Sequence, residues 1–257
     1  MPRFAANLTM MFTELPFLQR FGAAARAGFE AVEYLFPYDH DPAVLADLLA
    51  EHHLTQALFN LPPGDWAAGE RGIATLPGRE AEFQAGVATA LRYAKATGAR
   101  KIHMMAGIAD PADPAAVTRY REALKKLCGA AGAVGVEVLI EPINGRDMPG
   151  YFLNSFPRAV DLIGELALPN LKLQFDIYHR QILHGDVLTA LRDLLPIIGH
   201  VQIAAVPKRH EPGTGELNDH LLLTELDAIG YSGFVGCEYR PAGETVAGLT
   251  WMRAFAP

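Results

Sequence analysis

The chain has 257 residues, 50% of them hydrophobic and 20% charged, with a formal net charge of −7. This is a globular composition with enough chain for a large core; no apolar run is long enough to span a membrane, and the acidic balance disfavours a nucleic-acid backbone as partner. Cys128 and Cys237 are too few for a disulfide framework or a thiolate metal cluster, and MPRFAANL shows no secretory signal, so the expectation is a cytoplasmic enzyme acting on a small molecule.

The hydrophobic period alternates along the chain. Phe4, Ala6 and Leu8 begin a strand, and residues 15–27 have helical periodicity closed by Gly28, the favoured residue past a helix end. A strand over 31–35 precedes Asp41-Pro42, a capping side chain followed by a first-turn proline, which opens a helix reaching about His52. His52 and His53 then sit at that helix's negative end. A third strand covers 55–59. Residues 60–78 are rich in Gly and Pro with neither period, which predicts a long loop on the functional side, read as a lid or a wall of the site, with Trp66 packing on the surface as the plainer reading.

A long helix follows over 79–97, ended by Gly98, and then a strand over 101–105 with His103 inside it, read as a core histidine. Asp113-Pro114 repeats the capped opening of a helix that runs to about Ala131. The strand VEVLIE leads into a loop through Gly150, a helix over 155–166 and a sixth strand over 171–175. A helix over 186–195 stopped by Pro196, a strand over 200–203, a helix over 218–229 ended by Gly230, a strand over 234–237 and a short helix over 247–255 complete the order. About eight strand-helix units with no linker, low-complexity tract or longer repeat predict one domain over 1–257, a (β/α)8 TIM barrel whose site lies at the C-terminal ends of the strands.

Four of those late strands carry oxygen-bearing side chains at or near that end. VEVLIE stops at Glu141 with Pro142 forbidding a helical continuation, LKLQFD ends in Asp176, HVQIA contains Gln202, and FVGC is followed by Glu238. Each alone reads equally well as a solvated strand end; their recurrence points to one shared site. Three carboxylates and an amide oxygen suit a hard divalent ion such as Mg²⁺ or Mn²⁺, whereas zinc usually recruits His or Cys. Without a cation the carboxylates would repel one another and retain protons. Such an ion polarises a carbonyl, and two flanking carboxylates serve as acid and base between neighbouring carbons, the chemistry of aldose-ketose isomerisation. Asn60 ends the third strand and is a candidate pocket residue; in PKRH one of Lys208, Arg209 and His210 is placed to meet a substrate carboxylate, and Arg209 is preferred for its bidentate fork. Glu137 is read as facing away from the site and Glu216 as part of a mobile loop.

RFAANLTMMF, FPYDHD, GDWAAGERGIATLPGRE, EPIN, FDIYH, HVQIA, EPGTGELN and GCEYRP, spread over nearly the whole chain, together resemble the hydroxypyruvate isomerase family of xylose-isomerase-like barrels and its sister group acting on 2-oxo-tetronates. The resemblance implies a metal held by Glu141, Asp176, Gln202 and Glu238, with Glu141 and Glu238 as the proton-shuttling pair and His179 bonding a substrate oxygen. It implies hydroxypyruvate as substrate, with a 2-oxo-tetronate as the alternative; AAVPKRHEP departs from both groups' patterns where acid recognition would be decided. A ketose 3-epimerase, a zinc phosphodiesterase and a non-catalytic sugar-acid binding module are the competing readings, and a homo-oligomer is compatible with the chain.

Overall fold

The structure is a computed structural model and describes residues 1–255. Its eight strands are β1 (Arg3–Asn7), β2 (Ala31–Tyr34), β3 (Thr55–Asn60), β4 (Lys101–His103), β5 (Glu137–Ile140), β6 (Leu171–Asp176), β7 (Ile198–Ile203) and β8 (Phe234–Cys237). Each pairs in parallel with the next, and β8 returns to β1 through Arg3–Phe234 to Ala6–Cys237, closing the barrel. Strands shielded by helices outside and side chains inside are apolar on both faces, which is why β2 and most of β3 are buried throughout.

The helices are α1 (Arg20–Arg26), α2 (Pro42–Glu51), α3 (Glu80–Thr97), α4 (Pro114–Gly132), α5 (Phe156–Leu166), α6 (Ile177–Leu183), α7 (Val187–Leu194), α8 (Asp219–Ala228) and α9 (Thr245–Gly248). Both Asp-Pro openings behave as read: Asp41 accepts from the Ala43 amide at 2.8 Å, and Asp113 from those of Ala115 and Ala116. Such caps contribute about 1 kcal/mol each. Among the described residues no helix is long and apolar enough to cross a membrane.

Three expectations are corrected. The helix over 15–27 starts as a 3-10 turn at Phe17 and becomes α-helical only at Arg20, because Pro16 is extended (ψ 145°) and proline also biases the residue before it away from the helix. β4 stops at His103 rather than at Met105. An unforeseen helix, α6, begins immediately after β6: the Asp176 carboxylate that ends the strand also accepts the Tyr178 amide at 2.7 Å and so starts a helix with no intervening loop.

The long segment after β3 forms a wall of a cavity at the C-terminal ends of the strands and is fastened to the barrel. Glu70 accepts from Arg79 and from the Asp65 amide, Thr75 donates to the Ala106 carbonyl at 3.0 Å, and Arg119 donates to the Thr75 carbonyl at 2.6 Å. Gly72, at φ +101°, lies so close to β4's continuation that a Cβ would stand 2.2 Å from the Met105 carbonyl oxygen.

Candidate active site

At the C-terminal ends of the strands lies a cavity of about 560 Å³, lined by Glu141, Glu238, His103, His179, Asn60 and Arg209, with Trp66 and Arg71 on the wall segment and Asp147 and Tyr178 facing them. A cavity of about 640 Å³ opens at the other end of the barrel around Arg3, Phe4 and Leu249, but the potential ligand groups gather in the smaller one. Glu141 follows β5, Asp176 closes β6, Gln202 is the penultimate residue of β7, and Glu238 follows β8. All four are buried. Asp176 and Gln202 sit beneath the cavity without lining it.

Glu141, Asp176 and His179 each bring a ligand-type atom within 4.8 Å of the other two. His179, on the first turn of α6, places Nε2 3.5 Å from Asp176 Oδ2 and 3.9 Å from Glu141 Oε1. Its other nitrogen decides what it can do. Asn144 donates to Nδ1 from its side chain at 2.6 Å, and that amide cannot flip without loss, because its oxygen accepts the Arg146 and Asp147 amides at 3.0 Å. The backbone N–H of Asn144 points at the same nitrogen at 3.4 Å. Nδ1 is therefore the acceptor and Nε2 carries the proton, so His179 presents a neutral N–H to the cavity rather than a metal-ligating lone pair. Burial, with Arg209 and His103 adding to it, lowers its pKa well below the usual value, consistent with a neutral ring.

The carboxylates push one another's pKa values upward. Burial raises Glu141 well above the ordinary range, and the charges of Glu238 and Asp176 raise it further. Burial likewise pushes Glu238 up to about 8 and Asp176 up to about 6, with Arg209 opposing both. Glu141 Oε1 is buried with no hydrogen-bond partner. Glu141 and Asp176, the first with an orphaned oxygen, are what a hard cation satisfies and fit one as a candidate metal site, while Glu238 stands outside their close group and is bonded to Arg209.

Glu238 is held from two sides. Arg209 donates to Oε2 at 2.6 Å, and Asn7 to Oε1 at 3.4 Å. Arg209 also approaches Asp147 at 3.3 Å and Asp176 at 3.5 Å and lies over the Tyr178 ring. Its backbone is left-handed, φ +57°, an uncommon state for a non-glycine residue, fixed by bonds from its own amide to the Ala205 carbonyl and from the Arg240 amide to its carbonyl, both 2.8 Å. Of its neighbours in PKRH, Lys208 lines the cavity as an exposed side chain, while His210 bonds the Arg240 carbonyl at 2.8 Å. Asn60 lines the cavity, and its carbonyl accepts the Tyr38 hydroxyl at 2.6 Å.

Gln202 belongs to a polar layer inside the barrel. Its Oε1 accepts from Gln174 at 2.6 Å, and its Nε2 donates to Glu33 at 2.8 Å. An amide oxygen has two lone pairs, so one stays free for a ligand. Glu33 is the centre of the layer: it also receives Asn7 at 3.0 Å and pairs with His200 Nε2 at 2.7 Å. Glu33 therefore fixes both Gln202 and the Asn7 that holds Glu238. It was missed in the sequence, although a lone carboxylate in the apolar run AVEYL is a readable signal, as is the two-residue spacing of His200 and Gln202, which puts them on one strand face. The sequence puts His103 in the core, and it is buried there. It ends β4 and faces Glu141 Oε2 at 3.8 Å, with neither ring nitrogen bonded and a pKa lowered by burial to about 3. Glu137 stays outside the site, half-buried at the start of β5, and Glu216 is exposed and bonded by Gln181 at 3.0 Å.

The family described as "xylose isomerase-like TIM barrel" matches residues 21–255. A 2-oxo-tetronate isomerase of Cupriavidus necator is 54% identical over 257 residues, covering 99% of each chain. Escherichia coli hydroxypyruvate isomerase is 47% identical over 255 residues, covering 98% of each. A crystal structure described as AP endonuclease, family 2, from Brucella melitensis superposes with a TM-score of 0.97 at 49% identity, covering 100% of both chains.

Proposed function

This chain belongs to the xylose isomerase-like TIM-barrel family, and from that membership we propose that it is a divalent-metal-dependent aldose-ketose isomerase of small oxo acids, converting hydroxypyruvate to tartronate semialdehyde. The observation that carries the reading is the cluster of buried carboxylates, Glu141, Asp176 and Glu238, with an unbonded oxygen on Glu141 facing the same cavity as the neutral His179 N–H donor. A binding module needs no such pair of glutamates. A several-zinc phosphodiesterase needs more histidine ligands than this cluster offers.

Glu141, Asp176, Gln202 and Glu238 are the residues that would hold the ion, and Mg²⁺ or Mn²⁺ suits their oxygens. When bound, such an ion supplies Lewis-acid polarisation of the substrate carbonyl. The rest is the work of the chain. Glu141 and Glu238 form the proton-transfer pair: a carboxylate takes a proton from the hydroxyl-bearing carbon and a proton returns to the former carbonyl carbon, while the hydroxyl proton passes to the former carbonyl oxygen. Both are buried and line the same cavity, which places two carboxyl groups beside the substrate carbons. His179 donates from Nε2 to the substrate oxygen on which charge builds, and Asn144 keeps that proton in place. Arg209 holds Glu238 and, with Asn60, borders the substrate.

A 2-oxo-tetronate is the second reading, supported by the greater identity to the Cupriavidus necator enzyme. Hydroxypyruvate, 2-oxo-tetronates and free ketoses assayed with and without chelator test the proposal. An oxo acid should give an aldehyde or isomeric oxo-acid product, with activity lost in chelator and restored by Mn²⁺. An epimeric ketone as the product, or turnover indifferent to chelator, would refute it.

A further inference from the structure

The cavity holds four cationic side chains, and they differ in how far their charge is already matched. Arg209 is committed to Glu238, Asp176 and Asp147. Lys208 and Arg240 are exposed. Arg71 is partly buried, and among the described residues it has no carboxylate within ion-pair distance, although the adjacent Glu70 is taken up entirely by Arg79 and the Asp65 amide.

Arg71 is nonetheless firmly placed. Its guanidinium lies over the Trp66 ring, 3.8 Å from the centroid, and Trp66 packs in turn on Phe36 at 5.1 Å. Nη1 spends both its hydrogens on backbone carbonyls, those of Trp66 at 3.0 Å and Glu70 at 2.7 Å. A guanidinium has five N–H groups, so Nε and Nη2 keep three, and they form the edge that grips a carboxylate through two parallel bonds. The segment carrying Arg71 is fastened at Glu70, Gly72 and Thr75, so the side chain is positioned before any substrate arrives. Anchoring a planar anion calls for an oriented, partly desolvated cation with a free fork and no internal carboxylate. Arg209, the residue preferred from sequence, has spent its fork on the site's own acids.

We propose that Arg71, held over Trp66 in the cavity wall, is the specificity residue that binds the carboxylate of the oxo-acid substrate. This rests on the oxo-acid reading above and adds the group that separates acids from neutral ketoses. The carboxylate bound at Arg71 sets the carbonyl and hydroxyl carbons toward Glu141 and Glu238 across the cavity. The charge of Arg209 is thereby left to the proton-transfer carboxylate.

The test uses pyruvate and hydroxyacetone, which differ by a carboxylate against a neutral hydroxymethyl; pyruvate has no hydroxyl-bearing carbon to isomerise, and the hydroxyacetone samples are assayed for lactaldehyde so that binding heat is separated from any turnover. Each is titrated calorimetrically into metal-loaded wild type, Arg71→Met and Arg71→Lys. Methionine retains contact with Trp66, and lysine restores charge without the fork. Pyruvate affinity should fall about 30-fold or more in Arg71→Met and recover partly in Arg71→Lys, with hydroxyacetone changed less than about twofold. Equal weakening of both ligands would reduce Arg71 to a structural prop for the wall, and unchanged pyruvate affinity would move the anchor to the exposed cations; either overturns the proposal. Because binding is read without turnover, an enzyme that failed to isomerise hydroxypyruvate yet lost pyruvate in Arg71→Met would sink the reaction assigned above and leave the anchor standing.

Discussion

Glu238→Gln is expected to lower kcat about a thousandfold, within the range that a positioned proton-transfer group contributes, at saturating Mn²⁺ with one ion still bound per chain. The substitution keeps the shape of the side chain and an oxygen that can accept from Arg209, now at 2.6 Å. It removes the capacity to take and return a proton. Stability should not suffer, because the charged form of Glu238 is disfavoured by burial in the first place, its pKa being pushed up to about 8. The divalent ion keeps Glu141 and Asp176. Steady-state kinetics beside metal analysis give the answer: kcat within tenfold of wild type, with the ion bound, would remove Glu238 from proton transfer.

The second large effect lies one layer deeper. Gly236, in the middle of β8, pairs with Gln202 on one side and Ala5 on the other, and a Cβ there would stand 2.3 and 2.5 Å from the two carboxylate oxygens of Glu33. Glu33 has nowhere to go. It is buried and bonded to Asn7, Gln202 and His200, so moving it leaves a buried charge and three partners unsatisfied. Gly236→Ala is expected to cost about 3 kcal/mol, at the upper end for overpacking, and to lower Tm by about 5 °C or more. Activity should fall as well, because Asn7 and Gln202 move with Glu33. A Tm within a degree of wild type and unaltered kinetics would mean that the layer yields freely and does not position the site.

The barrel was legible because its signals are local. Strands shielded on both faces read as apolar runs, and Asp41-Pro42, Asp113-Pro114, Gly28 and Gly98 mark helix ends by backbone chemistry that needs no tertiary context. The strand-end acids could be read for the same reason. What escaped depends on residues that serve two elements or meet only in three dimensions. Asp176 ends β6 and caps α6, so no loop signal separates them, and His179 turned out to be helical. His103 looked internal because Met104 and Met105 prolong the apolar run after the strand has ended. The partners of Glu33 come from β1 and β7, at separations no sequence period connects. Arg71 carries no signal of its own. Its availability emerges only once Glu70 is seen with Arg79, and Arg209 with Glu238.

Divalent-ion binding measured together with proton release is the most direct test of the idea that these acids share one cation. Burial and mutual repulsion raise Glu238 from 4.5 to about 8 and Glu141 in the same direction. A carboxyl raised in the folded state favours folding at low pH, and that contribution is lost as pH climbs from the ordinary carboxylate range through the folded value. The metal-free protein should thus lose stability between about pH 5 and 8, and Mn²⁺ should restore more at pH 8 than at pH 5. Calorimetric titration with Mn²⁺ at pH 7 in buffers of different ionisation enthalpy should show one site per chain, release of about one proton or more, and loss of the site in Asp176→Asn. No saturable binding, or binding without proton release that persists in Asp176→Asn, would contradict the shared site.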